Sequence, residues 1–494
     1  MTRRVAFAGL AAIVVWFIAC TWTGIDFGGH WDEIPTVIVR VAKSIRAGTI
    51  LPERYLHPAL LHDITVITAV ASDPSQTRED AARRAESKPF LLRMRRIVAV
   101  ISSLTIVWVF LLVLAWRESP VEALVAAAIA AGSWELQYHS RWLTVDPLMV
   151  QCAALTLCCA VAGYRRQSVW LLRASGVAAG LACGAKYTAG LLLVTVILAC
   201  WFSRDRVRRV VEAVVLFAAG FIATTPGAVL ETRRMIGDVL VQSRIYASGW
   251  GAYTVAPGLE HGGLLAQYVG LVLLSHIPLI AAFLTAAAIG GAIVAARDDH
   301  RAALIALSFP ILYLLYFATR KVMFVRNSIV IVPFLAPLAA IGIVMLIRRG
   351  VRTRELRMIV AVVIGTMLVI NLAWLWTAAR SIRRSPQVYL AQLAAYLDDH
   401  SDRRFALSPR VTSELYAFDR RARPVVPLNA PNVDEAVFFA LESPSMPFLP
   451  NRRDSVECWF GAHEINFNYY PTWITADRIL VMKPEKVLWL NRRR

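Results

Sequence analysis

Ile97-Val98-Ala99-Val100-Ile101-Ser102-Ser103-Leu104-Thr105-Ile106-Val107-Trp108-Val109-Phe110-Leu111-Leu112-Val113-Leu114-Ala115-Trp116 runs without a single charged side chain. Wound as an α-helix it is about 30 Å long, the thickness of a bilayer's hydrocarbon core. Such a segment is stable in lipid, where a helix satisfies every backbone polar group internally. Arg95 and Arg96 precede it and Arg117 follows it. Working outward, comparable apolar blocks recur at 5–23, 120–135, 146–163, 168–185, 188–202, 208–225, 270–296, 302–317, 328–347 and 358–379. The chain therefore reads as a polytopic α-helical membrane protein with about 11 transmembrane helices.

The composition agrees. Of 494 residues, 57% are hydrophobic and 18% charged, with mean hydropathy +0.54. A soluble domain sits nearer 45–50% apolar and about 25% charged. Disorder, collagen-like repeats, a disulfide scaffold and a single soluble core are excluded. The net charge of +19 comes from 53 Lys and Arg against 34 Asp and Glu. These cations lie mainly between apolar blocks, as in Tyr164-Arg165-Arg166-Gln167 and Arg348-Arg349-Gly350-Val351-Arg352. That pattern suits loops beside anionic lipid. No basic, aromatic-interleaved soluble domain points to nucleic acid. Cys20, Cys152, Cys158, Cys159, Cys183 and Cys200 fall in apolar blocks, and Cys458 in polar sequence, with no C-x-x-C spacing. Met1-Thr2-Arg3-Arg4 leads into an apolar run without a small-x-small cleavage site, so this run reads as the first span.

Arg-bearing connectors 117–119, 164–167, 203–207, 297–301 and 348–357 alternate with others, and the positive-inside rule places them and the N-terminus in the cytoplasm. The segment of about 24–96 is then the first outer loop. Within it, Val37, Val41 and Ile45 alternate with Arg40, Lys43 and Arg46, the pattern of an interfacial helix. The stretch before Pro278, from Gly263 to Leu274, reads as a second one. An odd number of spans puts residues 381–494 outside. This segment is polar and Pro-rich, with strand-like runs at 478–482 and 486–490, and reads as a small α/β extracytoplasmic domain. Residues 1–380 form the transmembrane domain.

Ionisable groups at membrane depth are costly and mark function. Asp32 and Glu33 follow the first span, Asp146 opens the fourth, Lys186 separates two short spans, and Arg326 precedes the tenth. Each lies after a span running outward, so all fall at one membrane face. Two acids and two cations at an outer leaflet suit a lipid-linked sugar phosphate: cations hold the phosphate, and a carboxylate deprotonates an attacking hydroxyl. Arg141 and the Arg233-Arg234 pair are further candidates for the phosphate. The plainer readings are helix caps for Asp32, Glu33 and Asp146, and snorkelling for Lys186 and Arg326. His30, His57, His62 and His139 lack metal-ligand spacing.

At these residues the chain resembles the bacterial family 39-type membrane glycosyltransferases, which have the C-type glycosyltransferase fold and are related to protein O-mannosyltransferases and the lipid A aminoarabinose transferase. The matching pieces are Gly29-His30-Trp31-Asp32-Glu33, Gly48-Thr49-Ile50-Leu51-Pro52 through Leu56-His57-Pro58-Ala59-Leu60, Thr144-Val145-Asp146-Pro147-Leu148, Gly180 through Thr188, and Arg326-Asn327 with Pro333 and Pro337. Ile34-Pro35-Thr36 departs from the aromatic segment that many relatives carry after the acidic pair. The resemblance implies an inverting glycosyltransferase in a bacterial inner membrane, with a polyprenyl-phosphate sugar donor and a lipid, glycan or protein acceptor. Asp32 would be the base, supported by Glu33; Asp146 would be a second acid, with a divalent cation as an option; Lys186 and Arg326 would bind donor phosphate. The alternative is a lipid or polysaccharide transporter or flippase, which needs ionisable groups along a route through the bilayer.

Overall fold

Short polar connectors cut the apolar chain into helices and supply their caps. Ser87, Ser119, Ser133, Ser168 and Asp299 each accept a backbone N–H at the start of a helix. The computed structural model describes residues 2–26, 33, 37–72, 77–250, 253–350 and 352–408, and after these 411–412, 415, 432–439, 458–460, 464–466, 473–475 and 479–482.

The helices in order are α1 (Arg3–Thr23), α2 (Val39–Ala47), α3 (Leu60–Ala71), α4 (Arg78–Ala85), α5 (Lys88–Arg117), α6 (Pro120–Ala131), α7 (Trp134–His139), α8 (Val145–Arg166) and α9 (Val169–Ala185). They continue with α10 (Leu192–Trp201), α11 (Arg206–Thr224), α12 (Gly227–Leu230), α13 (Thr232–Ser248), α14 (Leu259–Tyr268), α15 (Pro278–Asp298), α16 (His300–Ala318), α17 (Val332–Met345) and α18 (Arg354–Asp399). Each apolar block read from the sequence overlaps one of these helices. By length and composition, 7 stretches among the described residues can cross a membrane. The chain is a polytopic helical membrane protein.

Four blocks are divided, 188–202 and 328–347 by the 3-10 turns Tyr187–Leu191 and Val325–Ile331 that precede α10 and α17. The 120–135 block stops at Gly132, where Ser133 begins α7. The 270–296 block is a π turn at Val269–Leu273 followed by α15, because Pro278 cannot continue the preceding helix. Helices form where the two interfacial ones were expected: α2, which buries Val41, Ala42, Ser44 and Ile45, and α14, which ends at Tyr268 before the π turn.

Small residues set the helix spacing around the site. A Cβ on Gly180 would lie 2.3 Å from the Phe217 carbonyl oxygen, so α9 and α11 touch backbone to backbone. Gly291 plays the same part between α15 and α17, with the Leu338 carbonyl oxygen 1.8 Å from its ideal Cβ. At its centre α8 is buried along nearly its whole length.

The chain divides into two units, the second taking residues from Ala378 onward. In that unit Leu390, Leu393 and Leu397 share one helix face and pack with Leu407, Val411, Leu415 and Val437. Phe405–Leu407 runs parallel to Glu435–Phe439, which pairs antiparallel with Ile479–Met482, and that strand pairs antiparallel with Cys458–Phe460. Glu464–Asn466 and Trp473–Thr475 form a separate antiparallel pair. The expected strand at 478–482 is present; the one at 486–490 lies outside the described residues.

Candidate active site

Three helix interruptions meet at one point. Thr144 occupies the N-cap position of α8 without a side-chain bond to the helix, which places Asp146 in the first turn rather than at the cap. α9 ends at Ala185; Lys186 is extended (φ −150°, ψ 128°), and a 3-10 turn at Tyr187–Leu191 follows before α10. A second 3-10 turn, Val325–Ile331, leads into α17 and carries Arg326 and Asn327. Interrupting a helix frees backbone and side chains to face inward at membrane depth, tolerated where protein rather than lipid surrounds them.

Lys186 Nζ donates to Asp146 Oδ1 at 2.7 Å and to Asn327 Oδ1 at 2.6 Å. Arg326 Nε stands 4.0 Å from Asp146 Oδ2, and its guanidinium lies 5.3 Å from the Phe324 ring centre. Side-chain exposure is 9% for both cations and 2% for Asp146. Asn327 is itself fixed: its carbonyl accepts from Tyr313 Oη at 2.9 Å, and its Nδ2 donates to Tyr246 Oη at 3.3 Å. Two cations on one carboxylate, in a buried setting, form a group that favours an additional anion.

Glu33 lies in a different network. Its carboxylate accepts from Arg95 Nε at 2.9 Å and from Arg95 Nη2, and from the Leu143 N–H at 2.7 Å. Arg95 also donates to the Ile25 carbonyl at 2.8 Å. Both side chains are sealed from solvent. The pair thus joins the end of α1, the start of α5 and the turn three residues before Asp146. Arg95 escapes a reading of the sequence because Arg93 and Arg96 flank it, and the trio looks like a basic helix border. The available signal is helical phase: Arg95 shares a face with buried Val98, Ala99 and Ser102.

Arg141 is fully buried. It donates to the Gln137 carbonyl at 3.1 Å, to Gln137 Oε1 at 2.5 Å and to the Cys20 carbonyl at 3.0 Å, which ties α7 to α1. No described ion pair joins it to the Lys186 group. Asp32 and His30 lie outside the described residues. Glu135 and His139 approach at 3.3 Å inside α7.

A polar clasp lies beside the site. Asp238 on α13 accepts from Arg54 Nε at 2.8 Å and from the Tyr55 N–H at 2.7 Å. Glu231 accepts from Tyr55 Oη at 2.7 Å, Arg234 donates to the Glu53 carbonyl, and Tyr187 Oη donates to the Tyr55 carbonyl at 2.9 Å. Segment 53–55 is thereby held to the residue next to Lys186. Of the Arg233-Arg234 pair, Arg234 takes part in this clasp and in an ion pair with Glu231 at 3.2 Å.

Among the described residues no three His, Cys, Asp or Glu side chains come together as a metal site. Asp146, the described acid of the cluster, already faces Lys186 and Arg326. Among the described residues the cluster offers a single carboxylate, already held by two cations, which does not fit a divalent cation.

Residues 91–229 match the family model described as dolichyl-phosphate-mannose-protein mannosyltransferase. No curated protein matches. Among solved structures, ArnT from Cupriavidus metallidurans bound to undecaprenyl phosphate aligns with TM-score 0.54 at 12% identity, covering 98% of this chain and 98% of that one. ArnT in the apo state gives 0.50 at 13% identity, over 97% and 98%. The archaeal oligosaccharyltransferase AglB from Archaeoglobus fulgidus, in complex with an inhibitory peptide and a dolichol-phosphate, gives 0.51 at 11% identity, over 87% and 69%. At these identities the likeness is one of fold. The chain is thus similar to these structures in fold, and its residues 91–229 match the mannosyltransferase family model.

Proposed function

We propose that the chain is an inverting glycosyltransferase of a bacterial inner membrane. It moves a sugar from a polyprenyl-phosphate donor to an acceptor on the extracytoplasmic side. The observation that carries this reading is the group of Asp146, Lys186, Asn327 and Arg326, assembled from three helix interruptions. The matched family and the names of the structural neighbours point to the same donor class.

In this reading the acceptor hydroxyl or amine loses a proton to Asp32, and its oxygen or nitrogen attacks the anomeric carbon. The bond from that carbon to the phosphate oxygen breaks, and its electron pair stays on the phosphate. The leaving lipid phosphate gains negative charge, which Lys186 and Arg326 stabilise in a site of low dielectric. Asp146 orients Lys186 toward that oxygen. Glu33 and Arg95 fix the turn that carries Asp146, and Arg141 holds α7 behind it. The acceptor, whether lipid, glycan or protein, enters opposite the leaving group, which gives inversion.

The test is direct. Purified protein is incubated with a panel of polyprenyl-phosphate sugars, and free lipid phosphate is measured. Release from one donor, lost in Asp32→Asn and Lys186→Met, supports the proposal. Undiminished release in both variants, or none from any donor by the wild-type chain, overturns it.

A further inference from the structure

At the end of α9 opposite Lys186 lies a group of side chains that none of the steps above uses. Gln167, in the connector after α8, accepts from the Arg204 N–H at 3.1 Å, which joins it to the connector before α11. One turn deeper, an ideal Cβ on Gly176 would lie 2.7 Å from the Ala213 carbonyl oxygen, so the backbones of α9 and α11 touch. Arg173 on α9 therefore reaches Glu212 on α11 at 3.0 Å. Arg208 and Arg209 donate to the same carboxylate, each at 2.9 Å. One negative charge thus holds three guanidiniums in a fixed fan, and each, with five N–H donors, has hydrogens to spare. Arg166, Arg204 and Arg206 have no carboxylate partner among the described residues. Leaving aside Arg165, which Asp299 takes at 3.3 Å, six arginines face two carboxylates, Asp205 and Glu212.

Two tryptophans flank this surplus of charge. Trp170 is 76% exposed and Trp201 47%. The Arg173 guanidinium lies 5.1 Å from the Trp170 ring centre, and that of Arg206 lies 4.6 Å from the Trp201 ring centre. Indole rings left open at a helix end suit the headgroup level of a bilayer. From there Val207, Val211, Val215, Ala218 and Ile222 share one exposed face of α11, an apolar track leading away from the arginines. Other connectors at this end lack the combination. Residues 297–301 hold two Arg and two Asp, and both Asp are ion-paired. Residues 348–357 have the same surplus of charge but no tryptophan.

We propose that this surface binds the headgroup of an anionic phospholipid, in the leaflet opposite the Lys186 group. The chemistry is that of a phosphodiester without a compensating ammonium. Guanidiniums take phosphate oxygens in a forked geometry. The tryptophans cover the glycerol level, and the α11 track takes an acyl chain. Thirteen residues separate Arg173 from Lys186, about 20 Å of helix, so one lipid phosphate cannot serve both groups. A second copy of this chain fits less well, because an isologous contact sets the same positive surplus against itself. The inference rests on the chain spanning a membrane; neither the transfer chemistry nor the direction in which the bundle faces enters it. A polyprenyl phosphate carries the same kind of charge, and the test separates the two lipids.

The experiment is native mass spectrometry of the purified full-length protein in detergent. The probes are phosphatidylglycerol, phosphatidylethanolamine of the same chain length and a polyprenyl monophosphate, each at the same mole fraction. Wild-type protein is expected to retain phosphatidylglycerol over phosphatidylethanolamine by about fivefold or more. Arg206→Gln combined with Arg208→Gln is expected to weaken that retention about twentyfold, since each arginine beside an anionic headgroup is worth about fivefold. Trp170→Ala is expected to weaken it about two- to fivefold. Arg349→Gln combined with Arg352→Gln, which removes the same charge elsewhere, and Lys186→Met are expected to leave it unchanged. Equal retention of the two phospholipids, or retention unchanged in the Arg206 and Arg208 variant, overturns the site. An equal loss in the Arg349 and Arg352 variant reduces it to general charge attraction and overturns it too. Loss in Lys186→Met assigns the bound phospholipid to the Lys186 group. Release of the polyprenyl monophosphate, and not of phosphatidylglycerol, by the Arg206 and Arg208 variant assigns the surface to that lipid. A mass of two chains that Trp170→Ala converts to one assigns it to a second copy. Each of these three assignments overturns the proposal. Arg206 and Arg208 are both exposed, so their variant tests binding without loss of the fold.

Discussion

Lys186 is the residue on which the chemistry turns, because its ammonium joins an acid and an amide from separate helices. Lys186→Met removes the donor and leaves Asp146 with Arg326 at 4.0 Å. A fall in the rate of lipid-phosphate release of about a hundredfold or more is expected in steady-state assays, the usual effect of losing one transition-state donor. Lys186→Arg should not rescue it, since a planar guanidinium cannot take the place of a compact ammonium between two oxygens. Glu33 acts on stability as well. Glu33→Gln leaves Arg95 buried without its counter-charge, at a cost of about 3–5 kcal/mol; thermal unfolding in detergent should show a lower midpoint. Asp63 behaves in the opposite way. Burial pushes its carboxyl from 3.8 up to about 7, and its Oδ1 has no hydrogen-bond partner among the described residues. A raised carboxyl leaves the fold unpenalised below about pH 4. Stability is then lost as pH rises toward 7, because the unfolded chain releases its proton first. Asp63→Asn should therefore raise the unfolding midpoint at pH 8 and leave it unchanged at pH 4.

The elements hold these residues in place through close backbone contact. Gly180 lies six residues before Lys186 on α9, and α11 packs directly onto it. Gly180→Ala places a methyl 2.3 Å from the Phe217 carbonyl oxygen, so one helix must move. Overpacking of this kind costs about 1–3 kcal/mol. Gly263→Ala on α14, where a Cβ meets nothing within 4 Å, is the control. A lower unfolding midpoint for Gly180→Ala alone, together with weakened lipid-phosphate release, is the expected result. The helices were legible in the sequence because lipid demands long apolar runs, and each run read there overlaps a helix. Asp146, Lys186 and Arg326 were legible because charges interrupt or border those runs. The Arg95–Glu33 pair and the α13 clasp were not. They are polar contacts between distant segments, Tyr55 and Asp238 being 183 residues apart, and no local period records them. Asn327 was visible beside Arg326, but nothing in its neighbours shows that it accepts from Lys186 across 141 residues.

For the whole molecule the remaining question is which way the bundle faces. Asp146 begins α8, Lys186 ends α9 and Arg326 leads into α17, and their contacts put these helix termini at one end. The connectors with Arg165 and Arg166, with Arg204 and Arg206, and with Arg297 and Arg301 follow helix termini of the other kind. Cationic connectors are retained in the cytoplasm. On the proposed topology, the end holding Lys186 then faces outward, and the segment after the last apolar helix emerges on that same side. Cys458 in that segment reports it, since Cys20, Cys152, Cys158, Cys159, Cys183 and Cys200 are all buried. A membrane-impermeant maleimide applied to spheroplasts should label the wild-type chain, and Cys458→Ser should remove the label. A cysteine introduced by Arg494→Cys gives the same reading where folding shields Cys458. Labelling that begins only after the membrane is opened would reverse the orientation, and would put the Lys186 group on the cytoplasmic side, where an extracytoplasmic acceptor cannot reach it.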